Sequence, residues 1–580
     1  MLAMPHSSAF AAILYTARIT GVADSDLTEA LTEASLLVSL RDRPPPSLRG
    51  LTRRANEDVD RLQNVLRSRG FYAGGVAYRV ENAADGTTLV TLAAAPGPAF
   101  HLDEYRIRVV GGVAPVRPIS VTYDAIGLRP GQAGEAAKIE AAGPGVLAIF
   151  ARNGHPLASI ADRRIVVDHA TKKITVDLDV NAGPAARFGA VRVTGGEGVA
   201  PAHVRRQILW REGELFDATL LEKTRARLRE SGLFDVVDIV PASEVDAAGT
   251  LPVEIVLTER LQRSIGLGVS YATNEGALAK VFWERRNLFG QGERLQLRGE
   301  VGELRTGAFA GLRLPDILRR DQDLVFELHA TEETPDGFRS TEFGATGRME
   351  RRFSEIYAGS VGLGFDQSHV VENGLARDFS LLSLPLSFKR DTADDIFDPG
   401  SGGRLSLTLT PHLGLPGTDI DFVVARLSDT LYLPLLPEKR LIAAGWARLG
   451  TIVGASTIAL PANKRLYAGG SGSVRGYGPN KIGPLDAQND PIGGTSSTEF
   501  GAELRWRVSE SIGLTGFVEA GAVYDTAMPD WGQDLRWSVG IGARYYSAIG
   551  PLRLDLAVPL DRRAGVDDSF AILMSLGQAF

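Results

Sequence analysis

Few residues of this chain are placed for catalysis. The eight histidines stand at 6, 101, 155, 169, 203, 329, 369 and 412 with no HExxH pairing among them, which excludes the helical two-histidine zinc grip of a metalloprotease. No GxSxG elbow presents a serine nucleophile. Zero cysteines remove thiol catalysis, disulfides, iron–sulfur clusters and cysteine zinc sites together. Carboxylates gather at Asp391, Asp394, Asp395 and Asp398, but their spacing is not that of a calcium loop. Pro399-Gly400 and Gly402-Gly403 beside them read as a turn. No catalytic residue, metal or cofactor is expected. What remains is one arginine in an unusual setting, Val474-Arg475-Gly476-Tyr477, within the glycine-rich run from Ala468 to Gly478. The run lacks GxGxxG spacing, no Gly-Lys-Ser/Thr follows, and strand-like segments flank it, so it is not a phosphate cradle. It lies in about forty residues without regular periodicity between Gly454 and Thr495, and a connection of that length is usually functional or disordered.

The elements that must position this loop come in two kinds. Over the first 260 residues a short strand-like run ends in glycine three times, at Gly21, Gly111 and Gly195, and a helical stretch ends in glycine at Gly70, Gly154 and Gly232. Glycine suits the left-handed position just past a helix. Val59, Leu62 and Leu66 fall on one helical face, as do Leu221, Thr224 and Leu228. Two strand-like runs then close each unit, for example Arg164–Val167 with Lys173–Leu178, and Val236–Val240 with Val253–Leu257. The order strand, helix, helix, strand, strand is therefore expected three times, with a period of about 84 residues that is too long for a solenoid. Gly143-Pro144-Gly145 is expected to kink or break the main helix of the second unit.

Past Arg260 the period becomes two. Leu405, Leu407 and Leu409 alternate with Ser406, Thr408 and Thr410, and Ala502, Leu504 and Trp506 alternate with Glu503, Arg505 and Arg507. Strand-like runs centre near Val269, Val281, Leu297, Ala310, Phe326, Ala345, Leu363, Ser383, Thr408, Val424, Ala447, Leu504, Val518, Ile541, Leu556 and Met574. Sixteen strands of about ten residues, with one polar and charged face, fit a transmembrane β-barrel. Arg294, Arg298, Glu300, Glu503, Arg505 and Arg507 would be ruinous in a dry sandwich core and tolerable in a wet lumen. The balance of 63 Lys+Arg against 70 Asp+Glu, net −7, argues against a nucleic-acid partner. The apolar run Ala9–Tyr15 is too short for a membrane helix, and no Lys or Arg precedes it as in a signal peptide. Since such a barrel must be exported, the numbering is expected to begin after a removed signal or downstream of the true start.

Val474-Arg475-Gly476-Tyr477 resembles the VRGY/F signature of the outer-membrane assembly and secretion barrels that carry POTRA (polypeptide-transport-associated) domains. Asn287-Leu288-Phe289-Gly290-Gln291-Gly292, Gly550-Pro551-Leu552-Arg553-Leu554-Asp555 and the terminal Phe580 are similar to further family features. The resemblance implies three tandem α/β POTRA domains at 12–103, 104–187 and 188–260, then a 16-stranded antiparallel transmembrane barrel over 261–580. It implies that loop 455–495 folds into the lumen and that Arg475 meets an acidic wall residue, here Glu519, where the family usually has Asp. Phe580 would be the C-terminal assembly signal, although Gln578 replaces the usual aromatic. Three POTRA copies resemble the TamA family, outer-membrane subunits of the translocation and assembly module. That resemblance implies periplasmic POTRA domains, a TamB-like partner anchored in the inner membrane, unfolded outer-membrane proteins such as autotransporters as substrates, and contact with outer-membrane lipid. A two-partner-secretion transporter, a general barrel assembly factor, a passive pore and an outer-membrane enzyme are the alternatives. The first strand (around Ser264 to Tyr271) and the last (around Phe570 to Gly577) are expected to form a weak lateral seam, with Ser264, Gly266, Gly268 and Gly577 at it, because glycine lowers strand stability.

Overall fold

The computed structural model describes residues 13–82, 87–111, 115–547 and 550–576; Gly577 and Phe580 lie outside them. The chain forms two compact units, one dominated by small α/β domains and one by a barrel.

Three three-stranded sheets share one topology, in which the last strand of each domain lies at the centre. Tyr15–Thr20 pairs parallel with Thr88–Ala95, which pairs antiparallel with Gly75–Asn82. His101–Val110, Lys173–Asn181 and Ser159–Asp168 repeat the arrangement, and Arg187–Gly195, Thr250–Glu259 and Phe234–Pro241 lie in the same order. The central strand is covered by an amphipathic helix. Leu51, Leu62 and Leu66 from the helix Leu48–Ser68 pack with Val90 and Leu92 of the first sheet. Leu221 and Leu228 are likewise buried on the helix Ala218–Glu230 of the third domain.

The second domain departs from expectation twice. Among its described residues a single 3₁₀ turn, Asp124–Ile126, precedes the main helix, where a full helix was expected. The main helix then runs unbroken from Ala136 to Arg152 with Pro144 inside it. Proline removes one backbone donor and crowds the preceding turn. Here Ile139, Ala142, Val146, Ile149 and Phe150 are buried along that helix against Ile174, Val176 and Leu178, and tertiary packing outweighs local propensity. Pro144 itself faces solvent.

The barrel closes through seventeen hydrogen-bonded segments. Leu375–Ser383 and Leu386–Asp391 both pair with Tyr357–Glu372 and with Gly402–Gly414, so they are halves of one strand. The break falls at Leu384-Pro385, since proline cannot donate to a ladder. Pro385 still accepts a hydrogen bond from Gly362 N at 2.9 Å. Counted this way the barrel has sixteen strands, and each of the sixteen expected centres falls within one. Ile265, Leu267 and Val269 project outward from the first strand, Arg263–Ala272, at more than 70 % exposure. On the inner side Glu300, Glu503, Arg505, Arg544, Arg553 and Asp555 are all buried. Alternation thus places an apolar belt outside and a charged wall inside.

Even-to-odd connections lie at the rim where the first strand begins and reach ten residues at 392–401; the others lie at the far rim and run from two residues at 303–304 to 42 at 454–495. At the first rim Asp394 accepts hydrogen bonds from Gly400 N at 2.9 Å and Ser401 N at 3.1 Å, and pairs with the Lys439 ammonium. Burial, the largest influence on Asp394, raises its pKa, but Lys439 and the two N–H groups outweigh it and hold the carboxyl below its ordinary range. Asp395 caps Phe397 N and Asp398 N, and Asp398 accepts from Arg507 at 2.5 Å. The acidic cluster is a self-capped turn.

Candidate functional site

The connection between the eleventh strand, Leu441–Val453, and the twelfth, Ser496–Arg507, is where the inner wall finds a partner. It leaves the wall at the far rim and packs within it through three apolar contacts. Leu460 and Leu466 join Leu381, Phe422, Val424 and Ile452; Ala462 joins Phe338, Val370 and Phe379; Ala468, Val474, Tyr477 and Ile482 join Val523. Between these contacts it is fixed by charge.

Arg475 is 1 % exposed. Its Nε and Nη2 donate to Glu519 Oε1 at 2.9 and 2.5 Å, and its main-chain N donates to Glu519 Oε2 at 2.7 Å. Nη2 also donates to Glu503 Oε1 at 2.6 Å, and Nη1 to Asp555 Oδ2 at 2.7 Å. The guanidinium lies 3.5 Å above the Phe517 ring centroid. These carboxylates belong to three strands, Ser496–Arg507, Ile512–Tyr524 and Gly550–Pro559. Around them stand three wall arginines. Arg505 donates to Glu503 at 2.9 Å, Arg544 pairs with Asp555, and Arg553 Nε lies 3.4 Å from Asp555. A planar, permanently charged fork is the group that can serve several carboxylates at once.

The backbone of the motif fits this purpose. Gly476 sits at φ +100°, where a Cβ would be strained, and an added Cβ would lie 3.2 Å from Pro559 N. The wall yields space too: a Cβ on Gly540 would stand 2.1 Å from the Phe517 ring that supports Arg475. Tyr477 is fully buried. Burial pushes its phenol pKa up to about 12, and the neutral hydroxyl donates to Trp537 O at 3.0 Å.

A second charged anchor holds the first leg of the loop. Arg465 donates to Glu372 Oε1 and Oε2 at 2.5 and 2.8 Å, and to Ile492 O at 2.9 Å. Lys464 Nζ lies 2.8 Å from Glu342 and 3.4 Å from Asp366. His329 bonds Glu342 at 3.0 Å. His329, Glu342 and Asp366 have ligand-type atoms close together, and Lys464 is the cation on the two carboxylates.

Sequence comparison places the far end of this arrangement in a family. Residues 287–580, just over half the chain, match the Omp85 superfamily domain, and residues 186–260 match the POTRA model described as "Surface antigen variable number repeat". The chain belongs to the Omp85 superfamily. It is 27 % identical over 456 residues to the outer membrane protein assembly factor BamA of Nitratidesulfovibrio vulgaris, covering 74 % of this chain and 56 % of that protein. The BamA of Neisseria meningitidis is 22 % identical, covering 68 % and 56 %. The chain thus spans about half the length of the curated relatives it matches. Among solved structures, BamA from Haemophilus ducreyi lacking POTRA domains 1–3 aligns with a TM-score of 0.66 at 19 % identity, over 82 % of this chain and 100 % of that one. This Omp85 barrel lies in the outer membrane with its POTRA domains in the periplasm, so the rim where the first strand begins is periplasmic and the far rim faces outward.

The closure of the Omp85 barrel differs from its other ladders. Arg263–Ala272 pairs with the second strand over its whole length. Across the closure the described register consists of Tyr271↔Met574 and Ala272↔Leu573. Ser264 Oγ accepts from Arg286 at 3.1 Å. A Cβ on Gly266 would strike the Phe282 ring at 2.2 Å, so this glycine also has a local packing reason. A Cβ on Gly268 would make only an ordinary contact with Lys280 Cβ at 3.9 Å. Near the periplasmic rim Asn287 Oδ1 accepts from Gly292 N at 3.0 Å, closing the turn Asn287–Gly292 on itself.

Wall partners Glu503 and Asp555 were missing from the sequence-derived site. Each left a signal, Glu503 as an inward charge and Asp555 as the end of the Gly550–Asp555 motif. The anchor formed by Lys464 and Arg465 left none.

Proposed function

We propose that this protein assists the insertion or secretion of outer-membrane β-barrel proteins, offering the edge of its first strand to a nascent substrate strand. The observation that carries the reading is where the closure stops: among the described residues the register runs through Ala272↔Leu573 and Tyr271↔Met574 and does not continue to Ser270 and Ser575, whereas the other side of the same strand is paired from Arg263 to Ala272. In lipid an unpaired backbone group costs several kcal/mol, so an incoming strand gains by pairing with such an edge. Ser264, Gly266 and Gly268 would line it. The lumen filled by Val474, Arg475 and Tyr477, each at most 1 % exposed, weighs against a passive pore.

Arg475 and Glu519 are proposed as the pair that holds the loop in its working position. The finer reading, a TamA-like factor serving autotransporters with a TamB-like inner-membrane partner bound by the POTRA domains, rests on the motif resemblance and on the three described α/β domains. Depletion separates it from a general assembly role: selective loss of a few outer-membrane proteins supports the first, collapse of the whole set the second. A change in outer-membrane lipid alone would point to lipid traffic.

The seam is tested with Ala272→Cys and Leu573→Cys, register partners in a chain without other cysteines. The oxidised protein should lose activity in a depleted strain and regain it on reduction. Full activity while cross-linked overturns the edge-templating reading.

A further inference from the structure

The tip of the lumenal loop touches both sides of the barrel closure. On one side lies the turn after the first strand. Asn274 Nδ2 donates to Tyr477 O at 2.8 Å. Glu275 accepts from Ser471 N and, at 2.6 Å, from Ser471 Oγ. On the other side lie the outer ends of the last strands. Tyr477 Oη donates to Trp537 O at 3.0 Å and accepts from Asp561 N at 3.3 Å. Arg563 Nη2 donates to Lys481 O at 2.6 Å. Tyr477 therefore reaches both flanks, its carbonyl held by Asn274 in the turn after the first strand and its hydroxyl by Trp537 and Asp561.

We infer that Ser471–Lys481 is a clasp across the seam, so that the outer end of the closure parts only when this segment releases one flank. Among the described residues the direct ladder here is two register pairs, with Thr273 N donating to Ile572 O at 3.1 Å. The clasp adds six hydrogen bonds that lie outside the ladder. It also connects the seam to the wall cluster, because Arg475 is bound to Asp555 on the strand that carries Asp561 beyond its end. The proposal deepens the seam reading above by naming what regulates the seam, and its test needs no substrate.

Ala272 is 4 % exposed and packs with Leu573, whereas Ala444 is 3 % exposed on the eleventh strand, away from the seam. Single Ala272→Cys and Ala444→Cys proteins in liposomes are treated with a water-soluble maleimide, alone and combined with Tyr477→Phe, Glu275→Gln or Arg563→Ala. Each clasp variant should speed labelling at position 272 by about threefold to tenfold, the effect of one or two lost hydrogen bonds, and leave position 444 unchanged. Glu275→Asp should restore part of the protection. Unchanged labelling at 272, or an equal rise at 444 from general loosening, overturns the clasp. Faster labelling at 272 with undiminished assembly in cells keeps the clasp and removes the templating reading instead.

Discussion

Glu519 is the most dependent of the three carboxylates around Arg475. Glu503 also accepts from Arg505 and Asp555 also from Arg544, while the described contacts of Glu519 are all with Arg475. Removing Arg475 leaves three carboxylates facing three wall arginines, a balanced set, but with Glu519 buried and unpaired. Arg475→Ala should thus leave a folded, heat-modifiable barrel, destabilised by at most about 3–5 kcal/mol, the cost of stranding a buried charge. Adding Glu519→Gln should return at least about 1 kcal/mol of that loss, because the stranded charge is gone. Heat-modifiability midpoints of the two singles and the double decide this; additive losses would show that the residues do not act together. Alternation marks which wall residues face inward, yet not which share a height. Glu503 lies in register with Phe517, Glu519 with Gly501, and Asp555 with Gly542, which faces Thr515, so the three carboxylates stand at different heights and meet only at the Arg475 fork. That is why the sequence offers one partner for Arg475 and the folded chain supplies three.

At the scale of elements, strong periodicity was legible and local interruption was not. The sixteen strand centres follow from a period of two that one apolar and one charged face enforce over the whole barrel. The Leu384-Pro385 break is absorbed because neighbours on both sides hold the two halves in line. The helix Ala136–Arg152 shows the same precedence of packing over propensity. Its proline faces solvent, so Pro144→Ala removes the backbone defect without opening a cavity. The second domain should gain about 1–3 kcal/mol, seen as slower pulse proteolysis of the periplasmic segment at equal denaturant. A loss of stability would mean that the proline shapes the helix for its packing. A second element-scale expectation concerns Gly540. Gly540→Ala places a Cβ against the Phe517 ring, and should displace that ring from beneath Arg475. A faster maleimide reaction of Val474→Cys in that background would report the loosened motif.

For the whole molecule, the question is whether the barrel is open. A sixteen-stranded barrel is wide enough to leave an aqueous channel. Here the loop fills it from two arcs of the wall: Arg465 and Lys464 on the sixth and seventh strands through Glu342, Asp366 and Glu372, and Arg475 on the twelfth, thirteenth and fifteenth. The two anchors share no residue, so release of one leaves the other in place, and independent contacts of this kind add. Purified protein in a planar bilayer should therefore conduct weakly. Arg475→Ala should raise conductance in part, with frequent closures as the tethered loop returns. Arg465→Ala should do the same from the opposite arc, and the double variant should open to a steady level several times that of either single, approaching an unobstructed lumen. Charge reversal at one anchor, Arg465→Glu with Glu372→Arg, should bring the conductance of the first leg back toward the parent. High conductance in the unmodified protein would instead mark the loop as a passenger in an open pore. Full opening by Arg475→Ala alone would mean that the first anchor holds nothing by itself.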